Sequence, residues 1–167
     1  MPTNQHKLAI VLHVYYLDVA KRLLERLDGL SNEGVALWVT VPTELRSETE
    51  RLIERHQQAA FVRSFENTGM DVLPFLRVVP ELVDHGYTAV VKLHTKRGSD
   101  SYSQAWGRAL TDSMCRETVL NTVKNAFLMH PELDFVGLPP FFLSARNLML
   151  NNLPQIQSLA CDIPELT

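Results

Sequence analysis

The chain has 167 residues, 46% of them hydrophobic and 21% charged, with a formal net charge of −3. At that length a folded chain buries roughly 70% of its unfolded surface, so the composition is that of one soluble globular domain that needs neither disulfide nor metal to hold a core. The acidic balance excludes a generally basic nucleic-acid binder, Cys115 and Cys161 make neither a disulfide framework nor a zinc spacing, and no apolar run approaches the roughly 18 residues of a spanning helix. The N-terminal Met1-Pro2-Thr3-Asn4-Gln5-His6-Lys7 has no signal-peptide shape, and with so few cysteines the chain reads as cytoplasmic.

In chain order, the continuous apolar run Leu8 to Tyr15 predicts a strand buried on both faces. Ala20, Leu23, Leu24, Leu27 and Leu30 then recur on one face of a helix, with Lys21, Arg22, Glu25 and Arg26 on the other. Val35 to Val41 is a second strand, ended by Pro42. Ser47-Glu48-Thr49-Glu50 has the capping-box pattern of a helix that runs to His56, with Thr43 as an earlier candidate start. Ala60 to Phe65 is a third strand, followed by the polar turn Glu66 to Asp71. Val72, Phe75, Leu76, Val79, Leu82 and Val83 follow at helical spacing; Pro80 predicts a kink or restart, and Gly86 closes the helix.

Tyr87 to His94 is a fourth strand. A polar stretch from Gly98 to Ser103 precedes a helix around Trp106 to Met114, and another helix spans Thr118 to Met129. Phe135 to Leu138 is a fifth strand ended by Pro139-Pro140, and a weak helical patch lies around Leu148 to Leu159. The order β-α-β-α-β-α-β-α-α-β predicts a three-layer, Rossmann-like α/β domain over residues 1–167, a mostly parallel sheet with helices on both faces. Such sheets bind ligands beyond the carboxyl ends of their strands. That rule selects His13 to Tyr16, Thr40 to Thr43, Glu66 to Asp71 and Lys92 to Arg97.

The last cluster concentrates charge. Lys92, Lys96 and Arg97 lie within six positions, with His94 among them and no acid, on a chain that is otherwise more acidic than its total. Such a spot suits a small anion, although a solvated turn has the same composition. In an extended segment Lys92, His94 and Lys96 point to one side. Gly69 can take a positive φ or admit a close backbone approach, and Asp71 is placed to cap the next helix or to shape a pocket at its start. Tyr15 and Tyr16 are candidates to flank a base or sugar ring, or are half-buried aromatics; Trp106 is a core residue or a wall. No metal-ligand spacing, hydrolase triad, Walker loop or G-x-G-x-x-G fingerprint occurs.

Val11-Leu12-His13-Val14-Tyr15-Tyr16, Leu37-Trp38-Val39-Thr40, the run from Glu66 to Leu76, Val91-Lys92-Leu93-His94-Thr95-Lys96, Trp106 and Val136-Gly137-Leu138 stand in order over residues 8–140. On these blocks the chain resembles the rhamnan synthesis F family, glycosyltransferase-like proteins of bacterial cell-surface polysaccharide and lipopolysaccharide assembly. Two details depart from the family pattern. An Arg usual in the Asn-x-Gly-x-Asp turn is Thr68 or Met70 here, and the usual Trp-Arg is Trp106-Gly107-Arg108.

The resemblance implies binding of a nucleotide-diphosphate sugar, such as dTDP-rhamnose, and transfer of the sugar to a growing glycan. The strand order is similar to the nucleotide-binding half of a GT-A-type glycosyltransferase, in which the fourth strand ends in a metal-binding D-x-D. Lys92 to Lys96 stands in that place, so donor binding is expected to need no metal and no cofactor. On this reading Lys92, Lys96 and Arg97 hold the diphosphate, and His94 and Asp71 are the catalytic candidates. His13, Tyr15, Thr40, Asn67, Gly69 and Trp106 border nucleotide or sugar. The family continues into a segment rich in Gly, Phe, Trp and Arg on the acceptor side, whereas this chain stops at Thr167, so it is expected to lack that part. The implied setting is the inner face of the plasma membrane, beside membrane-bound polysaccharide machinery. Two alternatives stand: a non-catalytic nucleotide-sugar or glycan-binding module of a larger assembly, and a Rossmann-like domain for another anionic metabolite.

Overall fold

A computed structural model describes residues 7–28, 34–56, 58–137 and 154. The chain divides into two compact units, Met1–Leu133 and Asp134–Thr167. In the first unit, strand β1 (Lys7–His13) leads to helix α1 (Leu17–Leu27), β2 (Ala36–Pro42), a 3₁₀ turn (Thr43–Leu45), α2 (Arg46–Arg55) and β3 (Ala60–Phe65). Then come α3 (Val72–Asp84), β4 (Tyr87–His94), α4 (Ser101–Met114) and α5 (Glu117–Met129). The four strands form one sheet in the order β3-β2-β1-β4, with every pair parallel. This is the expected Rossmann-like α/β architecture.

β1 sits between β2 and β4 and shows why an unbroken apolar run becomes a central strand. Leu8, Ile10, Leu12 and Val14 pack with Ala20, Leu23 and Leu24 of α1, Ile53 of α2 and Leu120 of α5. Ala9 and Val11 face the other way, against Trp38 of β2 and Val78 and Leu82 of α3. Both sides of the strand are therefore dry, at about 1.5–3 kcal/mol for each large side chain removed from water. The result is three layers, with α3 on one face and α1, α2 and α5 on the other.

Several local expectations are corrected. Ser47 and Glu50 form no capping box, because the chain has already entered the 3₁₀ turn at Thr43 and α2 begins at Arg46 without a side-chain cap. α3 continues through Pro80 rather than restarting. The carbonyl that loses its partner belongs to Leu76, which is more than half exposed and can bond water instead. The polar stretch before Trp106 is partly helical: Asp100 accepts from the Ser103 backbone N–H at 2.8 Å, and the Ser103 hydroxyl accepts from the Asp100 N–H at 3.2 Å. That reciprocal cap starts α4 at Ser101. Residues 135–137, expected to begin a fifth strand, form no strand, and Phe135 is exposed. Leu30, Leu138, Pro139, Pro140, Cys161 and most of the helical patch at 148–159 lie outside the described residues.

The turn between β3 and α3 is held by an obligatory glycine. Gly69 has φ 69°, and a Cβ there would lie 2.3 Å from the Cβ of Leu73, an atom fixed to the helix backbone. Its carbonyl accepts from the N–H groups of Val72 and Leu73 at 3.2 and 3.1 Å. Gly69→Ala therefore combines left-handed strain with a clash, and is expected to cost about 2–3 kcal/mol. Urea unfolding would register this as a lower midpoint at unchanged slope; a midpoint equal to the parent chain's would refute it.

Candidate functional site

In the order β3-β2-β1-β4 the direction in which strands are added reverses between β1 and β4, so a ligand crevice is expected where the segments that follow their carboxyl ends diverge. A cavity of about 540 Å³ occupies that place, lined by His13, Tyr15, Tyr16, Asn67, Met70, Asp71, His94, Thr95, Lys96 and Arg97. A larger hollow of about 820 Å³ runs beside α2 and β3, but its floor is mostly aliphatic and its Arg46 and Glu50 already pair with each other at 2.8 Å. Chemistry collects in the smaller cavity.

Register explains the convergence. His13 is paired with Thr40 on β2 and with His94 on β4, so these three side chains leave the sheet on the same face. Lys92, two residues before His94, shares that face. It is the face that α3 covers, and Asp71 stands at the N-terminus of α3. Although Asp71 occupies the capping position, its backbone is helical and its carboxylate makes no cap bond. The carboxylate turns instead to the Lys92 ammonium and lies 3.5 Å from His94 Nδ1. Lys92 also lies 5.9 Å from the centroid of the Phe75 ring. The expected helix cap is thus an acid–base cluster.

His13 is buried, with Nδ1 3.0 Å from Thr40 Oγ1. Burial pushes its imidazole pKa down; Asp71 opposes this, and His94 and Lys92 reinforce it. Burial also lowers His94, again against Asp71 and with Lys92 and Lys96. Both rings are therefore neutral at pH 7. Burial alone would raise the Asp71 carboxyl, but the Lys92 hydrogen bond, the charge that His94 takes up in acid and the Lys92 charge hold it below its ordinary value. The cluster presents an ionised carboxylate between an ammonium and a neutral imidazole.

Thr95 joins the two loops at the mouth. Its Oγ1 accepts from the N–H groups of Tyr15 at 2.8 Å and Tyr16 at 3.0 Å, and donates to the His13 carbonyl at 3.3 Å. One donor and two acceptor sites complete the capacity of a hydroxyl. In a glycine-rich turn the N–H groups after the first strand face a phosphate; here they are engaged by Thr95. Anion recognition at this edge therefore falls to side chains. Arg97 is ion-paired with Asp18 in the first turn of α1 and lies 4.7 Å over the Tyr16 ring. Lys96 is exposed and has no counter-charge among the described residues.

Of the residues singled out from sequence, His13, Tyr15, Tyr16, Asn67, Asp71, His94, Lys96 and Arg97 line the cavity. Lys92 joins it through Asp71, and Thr40 supports His13 from β2. Gly69 shapes the turn without lining the cavity. Trp106 lies on α4 with its ring 6.2 Å from Tyr102 and is not among the lining residues. Met70 and Thr95 fall inside the segments selected from sequence but are given no role there, and Asp18, which reaches the site through Arg97, lies outside those segments. Thr95 lies inside the motif block, but nothing in a sequence marks its hydroxyl as a splint between loops. Among the described residues no three His, Cys, Asp or Glu side chains are grouped to hold a metal ion, and no helix is long and apolar enough to cross a membrane.

Residues 1–142 match the family described as Rhamnan synthesis protein F. The chain is also similar to a protein named "Uncharacterized protein WxcX" in two strains of Xanthomonas campestris pv. campestris. One is 36% identical over 132 residues, covering 77% of this chain and 18% of the relative. The other is 35% identical over 125 residues, covering 73% and 18%. The chain thus spans less than a fifth of the length of the curated relatives it matches. No solved structure matches it significantly. The family match takes in all four strands and every lining residue of the cavity, and on that extent the chain belongs to the rhamnan synthesis protein F family, one named for polysaccharide synthesis.

Proposed function

We propose that this domain binds a nucleotide-diphosphate sugar in the crevice between β1 and β4 and serves its transfer to a growing glycan in bacterial surface polysaccharide synthesis. The observation that carries this reading is the cationic end of β4, Lys92 to Arg97, standing where a parallel sheet opens for ligands, in a chain of a polysaccharide-synthesis family. Departure of a nucleoside diphosphate leaves negative charge on phosphate oxygens. Lys96 and Arg97 stabilise that charge directly, which two carboxylates in their place could do only through a cation; donor binding is accordingly metal-independent. His94, held beside Asp71, donates to or orients a phosphate oxygen. Tyr15 and His13 border the nucleotide, and Asn67 borders the sugar.

A second reading is a nucleotide-sugar-binding module without turnover, working within a larger assembly; the Asp71 and Asp18 carboxylates that already hold Lys92 and Arg97 are compatible with binding alone. One screen addresses both readings. Nucleotide-diphosphate sugars, dTDP-rhamnose among them, are compared with plain nucleotides by thermal shift in the presence and absence of EDTA. A ligand at about 100 times its Kd stabilises the folded chain by about 2.7 kcal/mol. Sugar nucleotides are expected to raise the melting temperature equally with and without EDTA. A strict Mg²⁺ or Mn²⁺ requirement would sink metal independence, and no shift with any sugar nucleotide would sink the binding reading. Release of free sugar or its transfer by the stabilised chain would separate enzyme from module.

A further inference from the structure

Resting on the diphosphate reading above, we propose that Asp18 is a competing counter-ion for the diphosphate: it holds Arg97 while the cavity is empty, yields it to the ligand, and takes it back as the ligand leaves. The backbone donors after β1 are engaged by Thr95, so anion binding depends on Lys96 and Arg97. Lys96 is open, whereas Arg97 is bound to the Asp18 carboxylate with its guanidinium over the Tyr16 ring. That stacking fixes the plane of the fork and leaves one exchange to make, carboxylate for phosphate oxygen. Both partners of the ion pair are more than half exposed, so the exchange costs little. Burial pushes the Asp18 carboxyl up, but the Arg97 hydrogen bond and charge, helped by the backbone N–H groups of Val19 and Asp18, together hold it below its ordinary value.

The consequence is selective. A single phosphate group fits Lys96 alone and leaves the Arg97–Asp18 pair intact. A diphosphate that spans Lys96 and Arg97 competes with Asp18, which holds the guanidinium through Nη2, for that donor and for the positive charge. The carboxylate thus limits affinity for the diphosphate in particular, which keeps a departing nucleoside diphosphate from saturating the site.

Isothermal titration of the full chain with inorganic pyrophosphate, dTDP and inorganic phosphate tests this. Asp18→Asn is expected to tighten pyrophosphate and dTDP about three- to fivefold, the usual worth of an exposed ion pair, and to leave phosphate unchanged. Asp18→Ser, which also suits a helix start, should do the same if Asn perturbs α1. In an Arg97→Gln background the gain should vanish. Equal or weaker diphosphate binding in both Asp18 variants of the folded chain, or a gain that survives Arg97→Gln, would overturn the counter-ion role while the diphosphate reading stands. If neither the parent chain nor the variants take up pyrophosphate or dTDP, the diphosphate reading falls and this inference falls with it.

Discussion

Thr95→Val is expected to lower the melting temperature by about 5 °C, from a loss of about 2 kcal/mol, more than an isosteric change near the surface ordinarily does. Valine has nearly the shape of threonine and fills the same 5%-exposed position, so no cavity opens. What disappears is an oxygen that satisfies the Tyr15 and Tyr16 N–H groups together. A buried donor left unmade costs about 1–3 kcal/mol; the loop is only partly buried, so water recovers some of this for each. Thr95→Ser keeps the oxygen and is expected to restore most of the loss. The same bonds set the path from β1 into α1, so Thr95→Val should also weaken binding in the cavity even though Lys96 and Arg97 remain. Thermal melts of the valine and serine variants, with ligand titrations, check both effects. A valine variant that melts within about 1 °C of the parent would show that the hydroxyl is not holding the loop.

The two effects show what the sequence made legible and what it did not. β1 could be recognised because both its faces are dry, and dryness on both faces is written as an unbroken apolar run. The site could be located because strand ends in a parallel sheet share one edge, so polar residues after each strand are neighbours whatever their separation. Particular pairings are different. Asp71 reaches Lys92 across 21 positions and Asp18 reaches Arg97 across 79. Nothing local distinguishes Asp71 as a partner of Lys92 from Asp71 as a helix cap, because both roles ask for a short acidic side chain before a helix. The backbone conformation decides it: a helical φ and ψ at residue 71 aims the carboxylate away from the first-turn N–H groups and toward β4. The Asp100–Ser103 cap that starts α4 is hidden for a related reason, since Gly98 to Ser103 has the composition of a loop.

Those pairings also alter what the cationic segment means. Counted in sequence, Lys92 to Arg97 offers three positive charges and no acid. In the fold, Asp71 and Asp18 neutralise two of them. Lys96 is the cation of the segment that meets the cavity without a counter-charge among the described residues, and substitutions there should have the largest effect on ligand affinity. Lys96→Glu is expected to weaken nucleotide-diphosphate binding by about 30- to 100-fold: an opposite-charge contact at close range is worth up to about 4 kcal/mol near a protein surface, and salt removes part of it. Lys96→Gln removes attraction without adding repulsion and is expected to lose about tenfold. The side chain is exposed, and the Cβ and Cγ that face Gly107 of α4 are kept in both Glu and Gln, so both variants should melt with the parent chain in the absence of ligand. The penalty for Glu should shrink as salt is raised, because the interaction is screened within about 10 Å at 0.1 M. Calorimetric titration across a salt series reads all three expectations, and an affinity unchanged by charge reversal would mean that the diphosphate does not lie against β4.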